Sequence, residues 1–294
     1  MLSLQRRQYW FAYFMIVPGL LLMALFTFYP IIYGLPLAFT NYSVVDATKW
    51  VGLANFERAF SDKVFYLALK NSLIYIIVVP VIQLLSILMA ILVNNQLRFV
   101  HFFRVSYFVP VVTSMVAAAI AWKWVFQGNG ILNYFLQSLG WVEKPISFLA
   151  NPNWALYSIM AVTVWKGLGY YMMIYLAGLQ SIPSELQEAA RIDGAGRAKV
   201  IWYVTIPLLR PFVLLCSLMS MMAAVRVFDE VYVMTEGGPA NASMVTGVYT
   251  YQKAFIDFNF GYAAAIGLIV SLIIMVFSII MFKTGKRGGV NYYG

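Results

Sequence analysis

Ser184–Pro207, SELQEAARIDGAGRAKVIWYVTIP, is the stretch on which the reading of this chain turns. It is the longest segment that is both polar and helix-forming in a sequence otherwise built from apolar runs. Ser184 is placed as an N-cap, and Gln187 stands three residues later, in capping-box spacing. Glu185 and Glu188 fall in the first turns, where a helix N-terminus favours negative charge. Gly194 is placed to stop the helix, because glycine takes the left-handed C′ conformation at little steric cost. These signals predict a helix of about ten residues. Leu186, Ala189 and Ala190 give it a small apolar stripe among charges. Such a helix is too short and too polar to cross a bilayer, yet long hydrophobic runs flank it. It belongs at a membrane surface, where something docks on it.

Composition agrees. Of 294 residues, 62% are hydrophobic and only 11% are charged, whereas soluble domains carry about 25% charged residues. This is the composition of a polytopic membrane protein, so the net charge of +9 is read as a topology signal rather than as a nucleic-acid footprint. Cys216 is the sole cysteine, which rules out an internal disulfide, and His101, the sole histidine, cannot form a metal site and marks a loop. The Asn241-Ala242-Ser243 sequon is read as incidental. No cleavable signal peptide is expected, since the first apolar stretch is too long and lacks a small-x-small exit.

The apolar runs predict an all-α fold with six transmembrane helices, at about residues 11–35, 71–93, 105–126, 155–179, 207–234 and 263–282, in a single domain. Pro18, Pro30, Pro80 and Pro110 lie inside these runs, and prolines are tolerated where neighbours re-satisfy the freed backbone groups. Residues 40–70 read as a polar loop with some amphipathic helix. Residues 127–153 read as a second loop, with Trp141 and Trp154 as interfacial anchors, and Lys123 is expected to snorkel to the interface. Six spans put both termini on one side. Eleven lysines and arginines lie on that side, among them Arg6, Arg7, Arg98, Arg191, Arg197, Lys283 and Arg287; six lie opposite, from Lys49 to Lys253. The positive-inside rule then places both termini and the 181–206 loop in the cytoplasm.

The decisive stretch also carries a resemblance. Glu188-Ala189-Ala190, three residues, Gly194, nine residues, Val204, one residue, Ile206-Pro207 resembles the EAA-x3-G-x9-I-x-L-P loop of ABC-importer permeases, with Val204 and Ile206 as mild departures. The longer form EAARIDGAG, with Pro207 and Pro211 after it, resembles the carbohydrate-uptake branch. Gly52-Leu53-Ala54-Asn55-Phe56 is similar to a segment that follows the first span in that branch. Phe228-Asp229 through Thr235-Glu236-Gly237-Gly238-Pro239 resembles its FD-x-x-Y-x-x-T-x-GGP signature. With Tyr251–Ala264 added, the resemblance covers about residues 10–285.

The resemblance implies a type I importer permease working by alternating access beside a second, homologous permease subunit. A pair of ATPase subunits would carry ATP and magnesium, and an extracytoplasmic binding protein would deliver a sugar. The helix at 184–194 becomes a cytoplasmic coupling helix, with Glu188, Ala189, Ala190, Asp193 and Gly194 as its coupling residues. Glu188 would contact the ATPase, the alanines would allow close seating and Gly194 would permit the turn behind. No cofactor and no catalytic residue belong to this chain. It holds no G-x-x-x-x-G-K-[ST] loop and no nucleophile–base set.

Ionisable groups within a bilayer are costly and mark candidate pathway residues. Lys166 lies near the middle of the fourth span beside Trp165, Tyr170 and Tyr171, whose rings and hydroxyls suit a sugar. The alternative is a lysine paired with an acid of a neighbouring helix. Arg226, Asp229 and Glu230 share a face at i, i+3 and i+4, roughly 28 Å beyond Pro207 on a helix rising 1.5 Å per residue. They line an outer vestibule or form a structural ion-pair cluster. Lys166 and Arg226 also keep open a glycerol phosphate or an acidic oligosaccharide as cargo. Ion-driven secondary transport is the rival of another class. It calls for internal repeats and midplane carboxylates, which the chain does not display around Ser217 and Ser220. A purely structural membrane protein would not need a polar, aromatic-rich fourth span.

Overall fold

The computed structural model describes residues 2–43, 47–94 and 100–287. It divides into two compact units, one holding the chain up to Asp62 together with Thr250–Ser271, the other holding Lys63–Tyr249 and the chain from Leu272 onward. Five helices are long and apolar enough to cross a membrane, and a bent pair brings the number to six. The described residues contain only isolated bridges in place of strands.

In the first unit, α1 (Leu2–Met23) runs through a π turn at Ala24–Phe28 into α2 (Tyr29–Leu37). Nearly every side chain from Tyr9 to Leu37 is exposed and apolar, the surface that a bilayer covers. The chain then turns back on itself, and α3 (Ala54–Ser61) follows. The GLANF stretch has a local purpose here. The buried Asn55 amide donates to the Ala38 carbonyl at 2.9 Å and the Thr40 carbonyl at 2.8 Å. Phe39 stacks on Trp50 and meets Phe56 at a tilt. The 250–271 segment of this unit supplies Tyr262, whose ring lies 4.2 Å beneath Arg58 and whose hydroxyl donates to Asp62 at 2.7 Å.

The second unit opens with α4 (Lys63–Tyr75) and α5 (Val78–Asn94). The second span therefore begins at Lys63, inside the 40–70 stretch read as a polar loop; Lys63 and Lys70 delayed the apolar signal without stopping the helix. The kink at residues 76–77 has a named cause. Pro80 has no N–H for the Ile76 carbonyl, which instead accepts from Val79. The third span is not one rod either. α6 (Val100–Val112) and α7 (Met115–Val125) meet at 101° across Thr113 and Ser114.

α8 (Ile131–Ser138) then interrupts the 127–153 loop. The fully buried Asn133 fastens that loop, donating to Gln127 and Ile146 and accepting from the Ile146 N–H. α9 (Ala155–Gln180) is the hub of this unit and packs along α5 and α6. Polar pins hold it: Ser86 donates to the Leu168 carbonyl, Tyr175 donates to Gln83, and Gln83 donates to Ser220 at 2.8 Å.

After α10 (Ser184–Ile192) and α11 (Arg197–Val200), a second π turn leads through α12 (Ile206–Leu208) to α13 (Arg210–Val225). The fifth span, expected as one helix over 207–234, breaks at residues 226–228 before α14 (Asp229–Thr235). Asn71 on α4 donates to the carbonyls of Ala242 and Met244 and so ties down the loop that follows. α15 (Thr246–Tyr251) and the 28-residue α16 (Phe260–Arg287) complete the described residues.

Candidate functional site

The expected coupling helix is α10, and none of its residues is buried. Its start differs from the capping box. Pro183 occupies the N-cap, Ser184 is the first helical residue, and no side chain caps the end. A proline there fixes an extended entry, φ −57° and ψ 129°, which leaves Ser184 no place as a cap. The C-terminal end follows the expectation. Asp193 is the C-cap, and Gly194 takes φ +81°. The Ala195 N–H bonds the Ala190 carbonyl at 2.9 Å and the Gly194 N–H bonds Arg191 at 3.0 Å. Those two bonds form a Schellman motif. Glu188 and Ala189 are exposed, Ala190 is half-buried, and Leu186 and Ile192 stand out into solvent. Gln187 instead joins Arg191 and Arg197 around a cavity of about 70 Å³ beneath the helix. The result is a short, exposed helix closed by a glycine turn, with the small Ala189 and Ala190 on its surface.

The pathway candidates do not form one cluster. Trp165 packs edge-on against Trp122 at 5.4 Å, and Tyr170 lies edge-on to Tyr171 at 5.1 Å; both Trp165 and Tyr170 remain partly exposed. Lys166 meets backbone rather than an acid. Its ammonium donates to the carbonyls of Pro110, at 2.9 Å, of Val111 and of Thr113. Glu230 is buried, and its carboxylate accepts from Thr163 at 2.8 Å and from Tyr75 at 3.4 Å. Arg226 and Asp229 are exposed. The break at 226–228 takes Arg226 off the helix that carries the two acids, so the expected shared face does not form.

Sequence reasoning missed Tyr75 and Thr163, the hydroxyls that hold Glu230, and Asn71 and Gln83, which pin the helices. Asn71 and Gln83 are polar residues inside apolar runs, and that was a usable signal. It also missed a cavity of about 440 Å³ lined by Lys123, Gln127, Ser147, Phe148, Thr235 and Pro239 among others. Lys123, read as a snorkelling residue, borders it.

Residues 59–287 match the family described as binding-protein-dependent transport system inner membrane component. The chain belongs to this family of permeases. The permease is thus an integral membrane subunit of a transport system. It is 35% identical to the lactose transport system permease protein LacF of Rhizobium radiobacter, over 92% of this chain and 93% of that one. It is 33% identical to the multiple sugar-binding transport system permease protein MsmF of Streptococcus mutans, over 95% and 96%. Its fold is shared with a chain of a bacterial ABC transporter involved in alginate import, at a TM-score of 0.84 and 23% identity, over 97% of the permease and 98% of that chain.

Proposed function

We infer that the permease carries a sugar or oligosaccharide across the cytoplasmic membrane as one of two permease subunits in an ATP-driven importer. The observation that carries this reading is the exposure of α10. Within the described chain this helix buries none of its residues, and a left-handed glycine closes it, so most of its surface is open to a partner. In a permease of this family it serves as the seat for an ATPase subunit. Glu188 offers a polar contact there, Ala189 and Ala190 admit close approach, and Asp193 and Gly194 shape the turn. ATP and magnesium act on the ATPase pair, and closure of that pair moves α10 and reorients the spans. A binding protein outside the membrane delivers the cargo. Both termini face the cytoplasm, as the excess of basic residues on that side implies.

A sugar cargo is supported by LacF and MsmF, relatives named for lactose and for multiple sugars. The reading of an anionic cargo leaned on Lys166 and Arg226. The ammonium of Lys166 is already committed to three carbonyls, which favours an uncharged ligand. Trp165 and Tyr170 stay available as apolar platforms with hydrogen-bonding edges.

The test is co-purification of the tagged permease with the products of its neighbouring genes. An ATPase subunit should accompany the wild type and be lost, or be uncoupled from the binding protein, in Glu188→Lys and Gly194→Asp. Retention of a fully coupled ATPase in both variants contradicts the assignment of α10.

A further inference from the structure

The bend between α6 and α7 exposes an accounting problem. The last four carbonyls of an α-helix have no partner within the helix, and a lipid environment supplies none. At the end of α6 these belong to Val109, Pro110, Val111 and Val112. The Thr113 hydroxyl serves Val109 at 3.0 Å. Lys166, reaching across from α9, serves Pro110 and Val111 and also Thr113, which lies in the bend itself. Its positive charge stands at the negative end of the α6 dipole.

The approach of the two helices is close as well. A Cβ on Gly169, one turn beyond Lys166, would overlap the Tyr107 carbonyl of α6. One turn before Lys166, Thr163 holds Glu230 of α14, and α14 packs against α7. One helix therefore grips the two halves of the broken span, α6 directly and α7 through α14.

We propose that Lys166 is a positioning residue, a tethered cation that closes the open carbonyl end of α6 and sets the bend of the third span during transport. The ammonium takes the place that a bound ion or a ligand donor would otherwise fill at a broken membrane helix. Removing it leaves the Pro110 and Val111 carbonyls without a donor and frees α7, which carries Lys123 and leads into the wall of the 440 Å³ cavity.

The test uses the assembled importer in lipid, with partner subunits free of cysteine and with Cys216→Ala in this chain. Spin labels are placed at Val105 on α6 and Ile120 on α7, both exposed. The wild type should give one narrow distance peak. Lys166→Arg keeps a cation and its donors and should keep both the peak and an uptake rate within about threefold of the wild type. Lys166→Met should broaden the peak and lower the maximal uptake rate by about tenfold or more, while KM for the loaded binding protein stays within about threefold. Thr113→Val, which removes the neighbouring bond, should broaden the peak by less.

The uptake arm rests on the importer reading. The spectroscopic arm reports the bend whatever the cargo, so failure of one without the other tells the two apart. A Lys166→Met importer with a narrow peak and normal uptake overturns the proposal. So does one with a narrow peak and a raised KM, which would make Lys166 a contact for the cargo. If Lys166→Met does not assemble, Lys166→Arg decides: assembly with the wild-type peak upholds the proposal, and a broad peak or failure to assemble overturns it.

Discussion

Asn55 shows how much one buried amide does in this chain. Its two N–H groups serve the carbonyls of Ala38 and Thr40, where the chain leaves α2 and turns back. Truncation strands both carbonyls, and leaving a buried polar group unsatisfied costs about 1–3 kcal/mol. Asn55→Ala should therefore lower the unfolding temperature of the purified permease in detergent, with a wild-type curve as the contrary result. Glu230 poses a different question, since hydroxyl donors surround it rather than a cation. Glu230→Gln keeps an acceptor for Thr163 and Tyr75 and removes only the charge, so uptake should fall by less than about tenfold. Glu230→Leu takes the carboxylate acceptor from both hydroxyls, leaving Tyr75 and Thr163 only each other and the Ile159 carbonyl, and should lose more. Equal losses in the two variants would show that the charge itself is needed.

Among the elements, α10 is the one whose sequence and structure agree most closely. Its boundaries come from short-range chemistry, acids at one end and a left-handed glycine at the other, and such signals are legible in a single chain. Its start was less legible, because Pro183 fixed the entry and displaced the cap expected of Ser184. The exposed Ala189 is the position where added bulk tests seating without disturbing the helix. Ala189→Gln keeps helix propensity and should reduce ATPase co-purification while leaving the amount of permease in the membrane unchanged. Unchanged co-purification would place the contact elsewhere.

The third and fifth spans were the least legible elements. Both read as single spans, although the charged Arg226, Asp229 and Glu230 stand at the break in the fifth. Pro110 marked one irregularity, but the partner that stabilises the bend, Lys166, lies more than fifty residues away, and only packing brings it there. The same holds for Glu230, whose donors come from α4 and α9. Five apolar helices are long enough to span, and the bent α6–α7 pair brings the number to six, so both breaks fall inside expected spans.

Across the whole molecule, the composition, the apolar helices and the family membership describe one kind of object, a membrane-embedded transport subunit. The exposed apolar surface of Tyr9–Leu37 suits lipid, whereas the uncovered α10 is polar and suits water or a polar partner. No Walker A loop exists in this chain to supply the energy itself. We propose that a separate ATPase drives the cycle through α10.

The most direct measurement of that claim is uptake into proteoliposomes holding the permease, its partner permease and the ATPase pair, with sugar-loaded binding protein outside and ATP sealed within. The account predicts sugar accumulation that requires both ATP and the binding protein, persists when ion gradients are collapsed, and disappears in Glu188→Lys. Accumulation that follows an imposed ion gradient without ATP would contradict it.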